Sequence, residues 1–302
     1  MAQVFAILTD VIGPVLLIAA VGYTLGRTHV VQAHFLTALS IQVLIPALVF
    51  YALTTSTLPR AAFAQISGFI VMQFLILALV VWLAARLGKW GRVRTAGLLF
   101  ATQMSNAGNA GLPLAFFAWG QPGLNAAVGF FAIYAVLVAL LSVYIGARAS
   151  AGAANPARAL LRQPVTYAII VGLLLNLFGV PLPTPIAKAA ELLANGAISM
   201  VLLLVGLQLA EVQLGAEFRD ITFATTVRLL VAPILAWGSA SLLGLEGVVR
   251  QTSILLASLP TAVSAAVWAT EFGTDPALVS SVVVVTTLLS IITITGLLVL
   301  LR

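Results

Sequence analysis

The chain has 302 residues, 62% of them hydrophobic and 7% charged, against about 45–50% and about 25% in a soluble domain. With a mean hydropathy of +1.17 it carries too little charge to cover a water-facing surface, which excludes a soluble globule. Its net charge of +6 comes without any basic run interleaved with aromatics, so nucleic-acid binding has no support.

Cysteine is absent, which removes disulfides, thiolate metal sites and cysteine nucleophiles. Two histidines near the first loop do not make a metal cluster, and neither metal nor cofactor is expected.

A hydrocarbon core of about 30 Å takes about 20 helical residues per crossing, and apolar blocks mark ten spans, at 4–26, 34–53, 64–86, 96–119, 123–147, 165–180, 186–209, 221–244, 250–272 and 276–301. No stretch is left for an appended soluble domain. The first span has no basic segment ahead of it and reads as a retained helix, not a cleaved signal. Within it, Asp10 is either a proton carrier or, with Thr9, the N-cap of a helix starting at Val11. Gln42 precedes Pro46 in the second span, and Asn195-Gly196 occupies a comparable place in the seventh.

The fourth span is interrupted: Ser105, Asn106, Gly108, Asn109, Gly111 and Pro113 fall within nine residues. Counting from Ala96 puts Asn106 about 15 Å deep, near the midplane. Lys188 and Glu191 read as a surface pair near the start of the seventh helix. Arg228 lies about two turns into the eighth, where its long stem can snorkel to the cytoplasmic surface. The ninth is interrupted by Ser258, Pro260, Thr261 and Ser264 and ends at Glu271, either a solvated interfacial acid or a proton or cation site.

With the N-terminus outside, nine basic residues fall in cytoplasmic connectors (Arg27, Arg86, Lys89, Arg92, Arg94, Arg148, Arg158, Arg162, Arg219) and four outside (Arg60, Lys188, Arg250, Arg302). That bias puts both termini outside the cell membrane.

"RTAGLLFATQMSNAGNAGLPLAFFAWGQPGLNAAV" from Arg94 parallels "RQTSILLASLPTAVSAAVWATEFGTDPALVSSVVV" from Arg250. Each runs from Arg into an apolar stretch, breaks at small, polar and Pro residues, resumes, and turns at Gly and Pro (Pro122, Pro276) into a long apolar helix. The chain divides into five-helix copies at 1–150 and 151–302, forming one membrane domain. An odd number of crossings inverts the second copy relative to the first.

Lipid cannot satisfy the backbone groups freed by a broken helix, so the breaks must face protein or a wet cavity. Two broken helices meeting at midplane bring half-helix N-termini together, expected near Pro113 and after Pro260. Such ends carry partial positive charge and unpaired N–H groups that suit an anion. Asparagine amides bind a carboxylate without the cost of burying a fixed charge.

"SNAGNAGLPLA" from Ser105, "SLPTAVSAAVWATEFGTDP" from Ser258, "LIPALVF" from Leu44 and "LLLVGLQLA" from Leu202 resemble the auxin efflux carrier family, the plant PIN-type carriers and their bacterial relatives. The likeness covers essentially the whole chain in order. It implies ten helices in two inverted repeats, like bile-acid sodium symporters and sodium/proton antiporters. It also implies a scaffold bundle, a transport bundle with the crossed helices, elevator motion and often a homodimer. Relatives carry small organic acids such as malonate, malate or indole acetate. Asn106 matches the family's substrate-binding Asn, and Pro113 and Pro260 its crossover prolines. The ninth helix departs from the pattern, offering only the hydroxyls of Thr261 and Ser264.

The expectation is therefore an all-α secondary transporter, or uniporter, moving a small organic anion through the lipid bilayer. Asn106, Asn109, Ser105, Thr261 and Ser264 would bind substrate, Gly108, Gly111, Pro113 and Pro260 would form the crossing, and Asp10 and Glu271 are candidates for proton or sodium coupling. A cation/proton antiporter of the same architecture is the alternative, but it would place acids at the crossing. An enzyme is not expected, with no nucleophile–base set or metal cluster, and "GxxxxGK[ST]" does not occur.

Overall fold

The computed structural model describes residues 2–28, 33–149, 161–211, 215 and 217–301, with the backbone alone at 2, 33, 34, 60, 142–149 and 211. Among these residues the chain folds into helices: α1 (Gln3–Arg27), α2 (Phe35–Thr54), α3 (Ala61–Leu87), α4 (Arg92–Gln103), α5 (Ala107–Leu141), α6 (Pro164–Leu177), α7 (Thr184–Ala210), α8 (Phe218–Leu242), α9 (Gly247–Ala257), α10 (Ser264–Glu271) and α11 (Pro276–Leu301). Seven of them, α1, α2, α3, α5, α7, α8 and α11, are long and apolar enough to cross a membrane.

The difference between ten expected spans and seven helices of membrane length has local causes. The span expected at 96–119 is split between α4 and the first limb of α5, and that at 250–272 between α9 and α10. The span at 165–180 is the 14-residue α6. At Gly120 (φ 63°, ψ −150°) α5 bends into the span expected at 123–147. The expected repeat boundary at 150/151, with Arg158, Arg302 and His29, lies outside the described residues.

Prolines shape the long helices in a regular way. Five-residue π turns occur at Leu8–Ile12, Ser40–Leu44, Ala107–Gly111 and Val227–Val231, and each is followed two residues on by a proline: Pro14, Pro46, Pro113 and Pro233. Proline has no N–H and its ring collides with the carbonyl four residues back. Widening the preceding turn relieves that collision. The residue before each proline donates instead to the carbonyl five back: Gly13 to Leu8, Ile45 to Ser40, Leu112 to Ala107 and Ala232 to Val227. These prolines thus bulge their helices without ending them. Asp10 falls inside the first bulge of an unbroken helix, so its expected role as an N-cap is corrected.

Two groups of helices pack among themselves. In one, α1 packs most extensively on α7, and α2 on α6 and α7. The α1–α7 crossing depends on glycine at both sides. A Cβ on Gly22 would lie 2.0 Å from the Leu203 carbonyl oxygen, and one on Gly206 would lie 1.8 Å from that of Ala19. Backbones this close are held by van der Waals contact, the packing that works where lipid removes the hydrophobic drive. In the same group Asn176 of α6 donates to the Ser56 carbonyl at 2.9 Å, satisfying the chain just past the C-terminus of α2.

The other group gathers α3, α4, α5, α8, α9, α10 and α11. Its centre holds buried Phe69, Phe100, Leu112, Leu255 and Leu298. Outer faces carry exposed Leu17, Leu192, Leu242 and Ile292, side chains that lipid solvates and water would not.

Candidate functional site

α4 ends at Gln103 and α9 at Ala257, and neither continues directly into the helix after it. The unwound segments at 104–106 and 258–263 run antiparallel and pair. Ser105 and Thr261 form an isolated bridge; the Asn106 N–H donates to the Pro260 carbonyl at 2.9 Å, and the Ala262 N–H to the Met104 carbonyl at 2.8 Å. Pro260 is tolerated because the segment asks it only for its carbonyl.

These partners occupy matching places in the segments that begin at Arg94 and Arg250. Ser105 lies eleven residues after Arg94, and Thr261 eleven after Arg250. Met104 and Pro260 lie ten after, Asn106 and Ala262 twelve after, so the two hydrogen bonds exchange when these two segments are exchanged.

Asn106 begins the first limb of α5: its carbonyl accepts from the N–H groups of Ala110 (3.1 Å) and Gly111 (3.0 Å). Its side chain makes no capping bond and the residue is 4% exposed. The N–H groups of Ala107, Gly108 and Asn109 are first-turn donors without an intrahelical partner by position. Val263 and Ser264 stand likewise at the start of α10. Two positive helix ends therefore leave the crossing, and two negative ends, those of α4 and α9, enter it.

Arg228, in the π turn of α8, closes the negative ends. It is 1% exposed, and its Nε donates to the Leu259 carbonyl at 2.7 Å, one Nη to Thr102 at 2.9 Å and the other to Ala257. The expected snorkelling of Arg228 to the surface is thereby corrected: its stem carries the charge inward. Counted from Arg94 as Ala257 and Leu259 are from Arg250, the carbonyls of Ala101 and Gln103 accept instead from hydroxyls, Thr261 Oγ1 (2.6 Å) and Tyr134 (3.3 Å). One guanidinium thus replaces two hydroxyls and breaks the symmetry of the crossing.

Behind the crossing, Gln73, Gln103, Ser105, Tyr134 and Arg228 line a cavity of about 10 Å³, room for about one water. Gln103 Oε1 and Ser105 Oγ have no partner among the described residues. The Gln103 amide donates to Phe74 (2.9 Å) and the Gln73 amide to Ala232 (2.8 Å), tying α4 to α3 and α3 to α8.

Of the residues expected at the site, the fold brings together Ser105, Asn106, Thr261 and Pro260. Asn109 is half-buried in the first turn of the α5 limb, and Ser264 is exposed at the start of α10. Pro113 is not at the break: with Gly108 and Gly111 it belongs to the helix that follows, where it produces the π turn. Glu271 is exposed at the far end of α10, about 10 Å along the helix from Ser264. Asp10 is exposed on α1, its Oδ1 accepting from Thr9 Oγ1 at 2.9 Å. Lys188 and Glu191 do not pair; among the described residues the ion pair present is Arg94–Asp220.

Gln73, Gln103 and Tyr134 were not singled out from sequence, although an amide inside the apolar run "FIVMQFLILALVV" is itself a signal.

Apolar helices of membrane length, with two interrupted helices pairing at a buried polar crossing, define a polytopic membrane transporter. Residues 154–298 match the family model described as "Membrane transport protein". An uncharacterized transporter of Methanothermobacter thermautotrophicus is 30% identical over 298 residues, 94% of this chain and 95% of that protein. A putative malonate transporter of Rhizobium meliloti is 29% identical over 67% of this chain and 66% of its own length. Auxin efflux carrier component 3 of Arabidopsis thaliana is 31% identical over 42% of this chain and 21% of its own length. The chain belongs to this membrane transport protein family, that of the auxin efflux carriers.

Proposed function

We propose that the protein moves a small organic anion, a mono- or dicarboxylate, across the cell membrane by alternating access at the crossing. One observation carries the proposal: the crossing offers two half-helix N-termini and the Asn106 amide, while its negative ends are occupied by Arg228. A carboxylate fits unpaired N–H donors and a positive field. The Asn106 amide fixes its orientation, with Asn109, Ser105 and Thr261 shaping the surroundings. The malonate and auxin carriers among the relatives support the same ligand class.

A cation/proton antiporter needs acids where the ion binds. This crossing carries a guanidinium, which repels a cation, and Asp10 and Glu271 lie away from it.

In the proposed architecture the chain crosses ten times in two inverted five-helix copies, with both termini outside. The exchangeable hydrogen bonds between Met104–Asn106 and Pro260–Ala262 support such a two-fold relation. The group containing α1, α2, α6 and α7 would serve as scaffold and dimer contact, and the other as the elevator that carries the crossing. Coupling to protons or sodium remains a separate proposition from anion binding.

Proteoliposome flux tests the class. Labelled malonate uptake accelerated by an inside-positive potential, with no sodium-driven proton flux, is the expected result. Sodium-dependent proton movement without carboxylate uptake would overturn it.

A further inference from the structure

We infer that Arg228 is a tethered cation that converts the crossing from electrically balanced to anion-selective, acting on the substrate from behind without touching it. The inference rests on the proposed anion transport.

The guanidinium is 1% exposed within a helix long and apolar enough to span a membrane, and the ion pair present among the described residues does not include it. A lone buried charge is expensive in such a place. Its partners are three backbone carbonyls, Thr102 at the end of α4, Ala257 at the end of α9 and Leu259 just past it. Each helix end carries about half a negative charge, so the two ends together match one guanidinium. Without Arg228, two positive and two negative helix ends meet at the crossing and their fields largely cancel at a distance. With it, the negative ends are neutralised and the positive ends at Asn106 and Val263 act unopposed on whatever binds beside them.

A ring of carbonyl oxygens is also what strips a metal cation of its water. The side chain takes that place permanently, since an arginine keeps its proton. Its symmetry-breaking position supports this role over mere packing. The carbonyls of Ala101 and Gln103 in the other half are satisfied by neutral hydroxyls, so hydrogen bonding alone did not require a charge.

Removing the side chain while leaving its space should create a site for an exchangeable cation. Arg228→Ala and Arg228→Met are compared with the native chain, purified and reconstituted in proteoliposomes. Labelled malonate is the transported probe, guanidinium chloride at millimolar concentration the rescuing cation, and urea at the same concentration the control.

The inference expects a KM for malonate raised about tenfold in Arg228→Met, the size of one unit charge acting over about 10 Å at an effective dielectric near 20. In Arg228→Ala it expects uptake restored by guanidinium but not urea, together with a guanidinium-dependent rise in melting temperature that the native chain and Arg228→Met do not show. A native KM in Arg228→Met overturns the inference, as does indifference of Arg228→Ala to guanidinium in both readouts. Arg228→Met, which fills the space without charge, keeps the test decisive if Arg228→Ala does not fold. Failure of the native chain to move malonate would instead strike the proposed substrate class, and the melting-temperature comparison would still judge the cation site.

Discussion

At the scale of single residues, the crossing separates side chains that hold structure from one that is free to bind. Asn106 uses its backbone N–H and carbonyl for the fold and leaves its amide uncommitted as a cap. Asn106→Ala should therefore lower carboxylate uptake by at least about tenfold, the worth of one charge-assisted hydrogen bond of about 1.5–3 kcal/mol, while its detergent melting temperature stays near native. Thr261 is the opposite case: fully buried, it donates to Ala101 at 2.6 Å and its N–H bonds Thr286 Oγ1 at 3.1 Å. Thr261→Val leaves the Ala101 carbonyl unpaired, and thermal unfolding should register a loss of about 1–3 kcal/mol; Ser264→Ala, at an exposed position, should register little. Asn106 and Thr261 were legible because small polar residues interrupting an apolar helix are costly unless used. Arg228 was not. Its partners, Thr102, Ala257 and Leu259, are distant in sequence and become neighbours only when α4, α8 and α9 meet, and a lone arginine two turns into a span is equally consistent with a snorkelling side chain.

At the scale of elements, both helix interruptions were legible at Ser105–Asn106 and Ser258–Thr261, while the part played by Pro113 was not. Pro113 marked a disturbance in the fourth span, yet the break lies at Met104–Asn106 and the proline produces a π turn downstream. Both outcomes relieve the same missing N–H, and tertiary pairing with Pro260 and Ala262 decides where the helix opens. The α1–α7 crossing gave no sequence signal beyond small residues. Its glycines nonetheless set a tight tolerance, because a Cβ at Gly206 would lie 1.8 Å from the Ala19 oxygen. Gly206→Leu should force α1 and α7 apart, lowering thermal stability by about 1–3 kcal/mol or more and reducing yield of monodisperse protein. Gly196→Ala, on the same helix with open space around it, is the control and should leave both unchanged.

At the scale of the molecule, the scarcity of charge excluded water as the solvent, and hydropathy made the seven helices of membrane length legible. The helices of 8 to 14 residues lie within blocks that hydropathy also marked as spans, but each is shorter than its block and too short to cross a bilayer unaided. Orientation is a property of the whole chain and follows the basic connectors. The native chain lacks cysteine, so single cysteines report without background. Gln121→Cys should label from outside with an impermeant thiol reagent and Gly91→Cys from inside only; the reverse pattern would turn the molecule over. The most direct test of the central claim, that the helix crossing is the carboxylate site, is malonate binding to the purified native chain and to Asn106→Ala, followed by thermal shift, since a ligand stabilises the state that binds it. Malonate should raise the melting temperature of the native chain and not that of Asn106→Ala; an equal rise in both would place the carboxylate site elsewhere.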